Sequence, residues 1–378
     1  MLDVIVVGAG PAGTVAALVL ARAGVRVLIV DRDERPRERL CGDLVNPSAV
    51  QLLASLGLNP RTHPAALSVP TMRLTGPSAT VETAYAATSP GLSIPRRALD
   101  AWLLEEAIRA GARFHPGEFV RGALIDESRS PSRVRGVVLA PRHGHAETRL
   151  PASVVIAADG RRSVLARQLG LHIQTPRTGR WGFGARVSRV QGVSAAAEVH
   201  VRRGWCLGLT PLRDGAVRLW VTVPFRPEGR DPEDVIQQAV RHDPELAVRL
   251  ARVEFDGDVL VSGPLAVEAR APGAPGLLLA GDSAGFAEPV TADGVGLAMD
   301  GGRLAAAEAA RTLEDGEFAR AVDRLAVARR QAFGRRERVD RWARRCVETP
   351  GAVDAASIGA RLFPGAFRAV LRYASDAK

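Results

Sequence analysis

The chain is 378 residues long with a mass of 40.1 kDa; 46% of its residues are hydrophobic and 24% charged. This length admits two or three domains around a large core, and the balance excludes a disordered or fibrous chain. Net charge is +10, yet Lys378 is the only lysine, so arginine carries nearly all of the positive charge and no internal lysine can form a Schiff base or act as an acid or base.

The basic excess invites a nucleic-acid partner, but arginine spread along the chain fits a compositional bias on solvated faces. A small-molecule substrate, anionic or carrier-bound, is the more specific expectation. Cys41, Cys206 and Cys346 are odd in number and far apart, which argues against a disulfide framework and for a reducing, cytoplasmic setting. The first apolar run starts at Leu2 and leaves no room for a leader. No uncharged apolar run reaches the roughly 18 residues of a membrane span.

Leu2–Val7 is apolar and is followed at once by Gly8-Ala9-Gly10-Pro11-Ala12-Gly13. A helical stretch over Thr14–Ala23 ends at Gly24, and a second apolar run, Val25–Val30, closes on Asp31. Strand, tight turn, helix and strand thus follow within about 30 residues. An Arg-rich loop leads to Cys41-Gly42-Asp43, and a helix is predicted over Ser48–Leu56. Residues 67–94 alternate and carry Pro and Gly, and predict strands and loops. Arg96–Ala110 predicts a helix, Val137–Leu139 and Val154–Ala157 strands, the latter closing on Asp159-Gly160. From Trp181 to Phe225 apolar residues alternate, which predicts a mostly antiparallel sheet. Leu277–Ala280 predicts a buried strand and Gly294–Leu313 a helix. Phe318–Glu348 predicts one long helix with ten arginines against four carboxylates.

Three motifs carry chemistry. In Gly8-x-Gly10-x-x-Gly13, the first glycine permits the tight turn, the second lets backbone approach a pyrophosphate, and the third lets helix pack on strand. The helix N-terminus then offers unpaired N–H groups to the phosphates, and Asp31, eighteen positions after Gly13, can accept from a ribose. Ala280-Gly281-Asp282 ends a strand and leads through Ser283-Ala284-Gly285-Phe286 to Pro289-x-Thr291-x-Asp293-Gly294-Val295-Gly296. A strand-end Asp can hold a ribityl chain, and a Gly-rich helix start can aim N–H groups at the N1–C2=O edge of a flavin. Ala158-Asp159-Gly160-Arg161-Arg162-Ser163 is a third strand-end turn. In this order behind the glycine motif, the set points to FAD.

This ordered set resembles the FAD-binding monooxygenase and geranylgeranyl reductase superfamily, the p-hydroxybenzoate hydroxylase-type flavoproteins, over roughly residues 1–312. The resemblance implies an α/β fold: a Rossmann-type FAD-binding domain, an inserted mostly antiparallel substrate domain and a C-terminal helical tail. The corresponding spans are 1–66, 95–178 and 263–316 for FAD, 67–94 and 179–262 for substrate, and 317–378 for the tail. It also implies cofactor contacts from Gly8, Gly10, Ala12, Gly13, Asp31, Arg32, Arg39, Gly42, Arg96 and Val120. Further contacts are implied from Asp159, Gly160, Gly281, Asp282, Pro289, Asp293, Gly294, Val295 and Gly296. Cys41-Gly42-Asp43 and the 289–294 run look most like the geranylgeranyl reductase branch. That branch carries Tyr-x-Trp-x-Phe-Pro on the substrate sheet, whereas the counterpart here is Trp205-Cys-Leu-Gly-Leu-Thr-Pro211.

Other chemistries compete. Gly281-Asp-Ser283-Ala-Gly285 also fits the Gly-x-Ser-x-Gly of serine hydrolases, but every histidine precedes Ser283 and that fold needs one after it. No metal-ligand spacing is present, and a halogenase that works through an active-site lysine is excluded by the missing lysine. A non-enzymatic flavin- or nucleic-acid-binding role rests only on the Arg-rich tail. The expectation is therefore an FAD-dependent oxidoreductase acting on a small metabolite. Trp181, Phe183, Trp205 and Trp220 are candidate pocket walls, and Cys41 and Asp43 are candidate catalytic acids. Oxygenation is favoured over double-bond reduction because the prenyl-reductase motif is missing. With a single glycine fingerprint, electrons are expected from transiently docked NAD(P)H or from a separate flavin reductase.

Overall fold

The computed structural model describes residues 2–86, 88–128, 130, 132–141, 147–173, 179–225, 228–241, 243–286 and 293–375. In chain order its helices are α1 (Pro11–Arg22), α2 (Pro47–Ser55), α3 (Arg96–Arg109), α4 (Val164–Gln168), α5 (Pro232–Arg241) and α6 (Pro244–Arg249). They continue with α7 (Gly294–Asp315), α8 (Phe318–Glu348), α9 (Ala352–Leu362) and α10 (Pro364–Ser375).

Five parallel strands form the centre of the first sheet, in the order Leu277–Leu279, Thr148–Ala157, Leu2–Val7, Val27–Asp31, Arg113–Pro116. Val4, Val6, Ile29, Ile156 and Leu278 point to one face, against α1, α3 and α7, while Ile5, Val7, Val30, Val155 and Leu279 point to the other. A strand buried on both sides must be apolar throughout, which is why these runs stand out in the sequence. Strands Glu118–Asp126 and Arg133–Pro141 continue the sheet antiparallel from Thr148–Ala157 and cover its second face. α1 and α7 meet without room for side chains: a Cβ at Gly302 would run into the Ala12 backbone.

The second sheet orders Glu254–Phe255, Trp181–Ser188, Val217–Val223, Trp205–Pro211, Ala196–Arg202, Thr71–Thr75 and Thr80–Ala84, with Leu260–Ser262 also paired to Trp181–Ser188. It is antiparallel except where Ala196–Arg202 runs parallel to Thr71–Thr75. One face packs Phe183, Leu207, Leu219 and Val221 on α5 and α6. The opposite face presents Cys206, Trp220 and Val199 to Leu44, Leu40 and the C-terminal helices. A small third sheet, Leu44–Val45 with Gly91–Ser93 and Leu67–Val69, lies between the two. Ser93 Oγ donates to Pro211 O at 2.6 Å and so ties it to the second sheet. Among the described residues no helix is long and apolar enough to cross a membrane.

Candidate functional site

Gly8 has φ +105°, and its N–H donates to Val30 O at 2.8 Å, so the turn leaves its strand in a conformation that favours glycine. A Cβ at Gly13 would overlap Gly8 O, and one at Gly8 would overlap Ala158 O. Gly10 differs: nothing lies within 4 Å of the Cβ position. Gly10 is the N-cap of α1, no side chain caps it, and the first turn holds no carboxylate. The space beside the uncapped helix start at Gly10 is therefore open, as an anion at a helix N-terminus requires. Asp31 accepts from Ala9 N at 2.6 Å and from Asp33 N at 2.8 Å, and borders a cleft with Gly10, Arg37, Arg39, Asp100 and Phe114. Arg39 pairs with Asp33 at 2.9 Å, whereas Arg32 is half exposed and only 4.0 Å from the same carboxylate. Val120 lies on Glu118–Asp126 opposite Leu139, packs on the sheet's second face and does not border that cleft.

Asp159 and Asp282 end adjacent parallel strands. Asp159 Oδ2 accepts from Val164 N at 3.0 Å, while its buried Oδ1 finds no partner among the described residues. Burial pushes its carboxyl above the usual range. Gly160 follows at φ +81° with open space beside it. Asp282 sits in a 3₁₀ turn after Gly281, 3.7 Å from Arg161; burial raises its pKa, and Arg161 and then Arg96 oppose the rise. Arg96 is held in a two-bond pair with Asp100, both bonds at 2.9 Å. Ser283 is fully buried, and its hydroxyl lies 2.6 Å from Ala157 O and 2.7 Å from Ala280 O. Locked in the turn, it cannot serve as a nucleophile, and His172 meets only its backbone carbonyl. The serine hydrolase reading is therefore discarded.

The Cys41-Gly42-Asp43 loop lies between the two large sheets. A Cβ on Gly42 would come within 2.9 Å of Trp220 Nε1, and Gly208 approaches the same indole from its own strand. Asp43 is 1% exposed at φ +54°, and Arg218 of the second sheet holds its carboxylate at 2.5 Å. Arg96 N donates to its other oxygen at 3.2 Å. Burial pushes Asp43 up to about 6 against the pull of Arg218, which also pairs with Glu38 at 2.7 Å. Cys41 Sγ accepts from Asp43 N at 3.4 Å, and burial pushes its thiol up while Arg96 works the other way.

At the start of α7, Asp293 is buried, accepts from Asn46 Nδ2 at 2.5 Å and meets Arg336 of α8 at 3.0 Å. Burial pushes its carboxyl up to about 7, and Arg336 opposes the rise. Gly296 leaves room for this cluster, since a Cβ there would stand 2.7 Å from Asp293 Oδ1. Gly294 and Val295 form the same first turn, with Val295 buried. Pro289 lies outside the described residues.

The candidate pocket walls need correction. Phe183 is fully buried under α5 and α6, and Trp181 and Trp205 pack on that same face. Only Trp220 faces the Cys41–Asp43 loop, because alternate residues of a strand point to opposite sides. Sequence reasoning also missed Arg218, Asn46 and Arg336. Asn46 could have been found as an N-cap before Pro47. Arg336 is one of ten arginines on its helix and carries no distinguishing signal.

The open space at Gly10, the uncapped α1 and the orphaned Asp159 oxygen fit a dinucleotide cofactor, and the fold is that of a flavin-type two-sheet oxidoreductase. A family model described as "FAD binding domain" matches residues 1–323, and the chain belongs to that family, within the FAD-binding monooxygenase and geranylgeranyl reductase superfamily. It is thus an FAD-dependent oxidoreductase. Digeranylgeranylglycerophospholipid reductase 1 of Methanopyrus kandleri is 30% identical over 332 residues, covering 83% of this chain and 81% of its own. Menaquinone reductase of Mycolicibacterium smegmatis is 31% identical over 334 residues, covering 80% and 75%. Two solved structures share the fold. A flavin-dependent brominase matches at TM-score 0.82 and 19% identity, covering 98% of this chain and 93% of its own. A geranylgeranyl bacteriochlorophyll reductase-like protein of Thermoplasma acidophilum matches at 0.79 and 20%, covering 94% and 90%.

Proposed function

We propose that the protein reduces a carbon–carbon double bond of a prenylated substrate, with Cys41 as the proton donor. The carrying observation is the placement of Cys41: a half-buried thiol beside Arg96 and the Asp43–Arg218 pair, in the loop pressed on the second sheet. The names of the reductase relatives, for a digeranylgeranyl lipid and for menaquinone, support a prenylated substrate. They outweigh the missing motif near Trp205, from which oxygenation is the expectation.

In this reading Gly8, Gly10, Gly13 and Asp31 hold the ADP half of FAD, and Asp159, Asp282 and the first turn of α7 hold the remainder. Bound FAD, once reduced by NAD(P)H or a partner reductase, would supply a hydride. The protein's part is to bury the base of the loop, since Asp43, Arg218 and Trp220 are at most 5% exposed, and to hold a proton on the half-buried Cys41 Sγ for the carbon next to the one reduced. Asp43 positions that loop through Arg218 and Arg96.

The test is anaerobic. Chemically reduced, FAD-loaded protein is mixed with a geranylgeranylated lipid or a menaquinone, and flavin reoxidation and product mass are followed. Reoxidation without O₂ is expected, slowed in Cys41→Ser with FAD content unchanged, with a product that stays heavier by two hydrogen atoms after any quinone ring is reoxidised in air. Reoxidation that waits for O₂, with an oxygen atom in the product, assigns the protein to oxygenation.

A further inference from the structure

The elbow between α9 and α10 exposes apolar side chains that the fold does not use. Leu362 and Phe363, each 66% exposed, are the most exposed large apolar residues among those described; Ile358 is 52% and Val370 44% exposed. Ile358 and Leu362 are four apart on α9 and share a face, and Phe363 continues it into the turn. The elbow is nevertheless anchored. Val353, Ser357 and Ala360 are buried, Ser357 Oγ accepts from Ser78 N at 2.9 Å, and Asp354 pairs with Arg203 at 2.8 Å. Ala360 and Leu371 pack on the second sheet, so the exposed side is held outward.

The segment that forms this tip carries charge of one sign. Between Asp354 and Asp376 the chain has no carboxylate, but it has Arg361, Arg368 and Arg372. Arg361 and Arg368 are exposed and form no ion pair among the described residues. An apolar tip rimmed by the Arg361 and Arg368 guanidinium groups matches an interface with apolar depth and anionic surface, which a bilayer with acidic headgroups provides. A second copy of this chain would bring the same arginines to a two-fold contact and oppose it.

We propose that Ile358, Leu362 and Phe363, with Arg361 and Arg368, form a peripheral docking surface for an anionic lipid bilayer. The protein would there meet a substrate dissolved in the membrane; that last clause, unlike the docking itself, rests on the prenyl-reductase reading.

The experiment uses the full, FAD-loaded chain and sedimentation with vesicles of phosphatidylcholine, with and without phosphatidylglycerol. Binding is expected to the mixed vesicles and to weaken with salt. Leu362→Ser with Phe363→Ser should weaken it at least roughly tenfold. Arg361→Gln and Arg368→Gln should each cost roughly fivefold at low salt. All variants should keep FAD content and their rate on detergent-solubilised substrate. Absence of vesicle binding, or equal binding by the serine double variant, overturns the proposal. So does a concentration-dependent dimer that the double variant abolishes, which would give the elbow to a second copy. Vesicle binding with no activity on any prenylated substrate leaves the docking surface standing and removes the reductase reading.

Discussion

Gly10 and Gly13 stand three residues apart in one motif, yet the structure assigns them opposite sensitivities. At Gly13 a Cβ would overlap the Gly8 carbonyl oxygen, a backbone atom that cannot rotate aside. Gly13→Ala should therefore destabilise the apo-protein at the upper end of the overpacking range, about 3 kcal/mol. At Gly10 the backbone is extended, with φ −79° and ψ −178°, which valine adopts freely, and no atom lies within 4 Å of the new Cβ. Gly10→Val should change apo-protein stability by less than about 1 kcal/mol. It fills the space before the α1 N-terminus, however, and forfeits at least one charge-assisted hydrogen bond from backbone to phosphate, worth about 1.5–3 kcal/mol. FAD affinity should then fall roughly ten- to a hundredfold. Urea unfolding of the apo-proteins by tryptophan fluorescence gives the first quantity, and titration of flavin fluorescence gives the second. Should Gly10→Val bind FAD within about twofold of the parent, the pyrophosphate does not pass over Gly10, and the assignment of α1 is wrong.

Asp282→Ala removes the carboxylate beside Arg161 and should weaken FAD binding roughly ten- to a hundredfold in a folded protein; unchanged affinity would show that the Gly281-Asp282 motif does not reach the cofactor. Cys41→Ser should alter turnover or the flavin spectrum with thermal stability nearly constant, whereas lost stability with an unchanged spectrum makes Cys41 a packing residue only. Asp293, pushed by burial up to about 7 from 3.8, keeps its proton in the fold where the unfolded chain has lost it. Its own contribution to stability should therefore be lost as pH rises from about 4 to about 7 and then level, adding to the like-signed contribution of Asp43. Asp293→Asn should flatten that slope in pH-dependent urea unfolding, and an unchanged slope refutes the assignment.

The parallel core was legible because its strands are buried on both faces: Leu277–Leu279 is apolar without interruption, and Leu2–Val7 is broken only by Asp3, which pairs with Arg26. The long tail helix was legible as well: α8 spans the predicted Phe318–Glu348. Pattern reading assigns no element between Phe225 and Leu277, although Val235, Ile236, Ala239 and Val240 supply the buried stripe of α5. The faces of the second sheet were the larger loss. Alternation marks a strand but is silent on which side meets the cofactor domain, and choosing aromatic residues selected the α5–α6 side. The glycines were the better guide. Gly182 and Gly184 give way to Leu40 and Gly208 gives way to Trp220, so the closely approached face is the one where glycines leave room between its side chains.

The pairs that hold the candidate site together explain why its glycines were readable and its charges were not. A glycine motif is local: Gly8, Gly10 and Gly13 act within one turn, and their spacing is the signal. Asp43 reaches Arg218 across 175 positions, and Asn46 reaches Asp293 across 247. With 51 cationic and 41 acidic residues, composition cannot say which carboxylate meets which guanidinium. Buried pairs of this kind add little net stability against a well-packed apolar alternative, but losing one partner strands a charge. Their effect here is positional. Arg218 fixes the Cys41 loop to the second sheet, and Arg336 carries the tail helix to the first turn of α7. The family match ends at residue 323, before Arg336. A chain shortened to the matched region would keep every glycine of the candidate cofactor cradle and still lose the cation beside Asp293, so α8 is structurally tied to the candidate site.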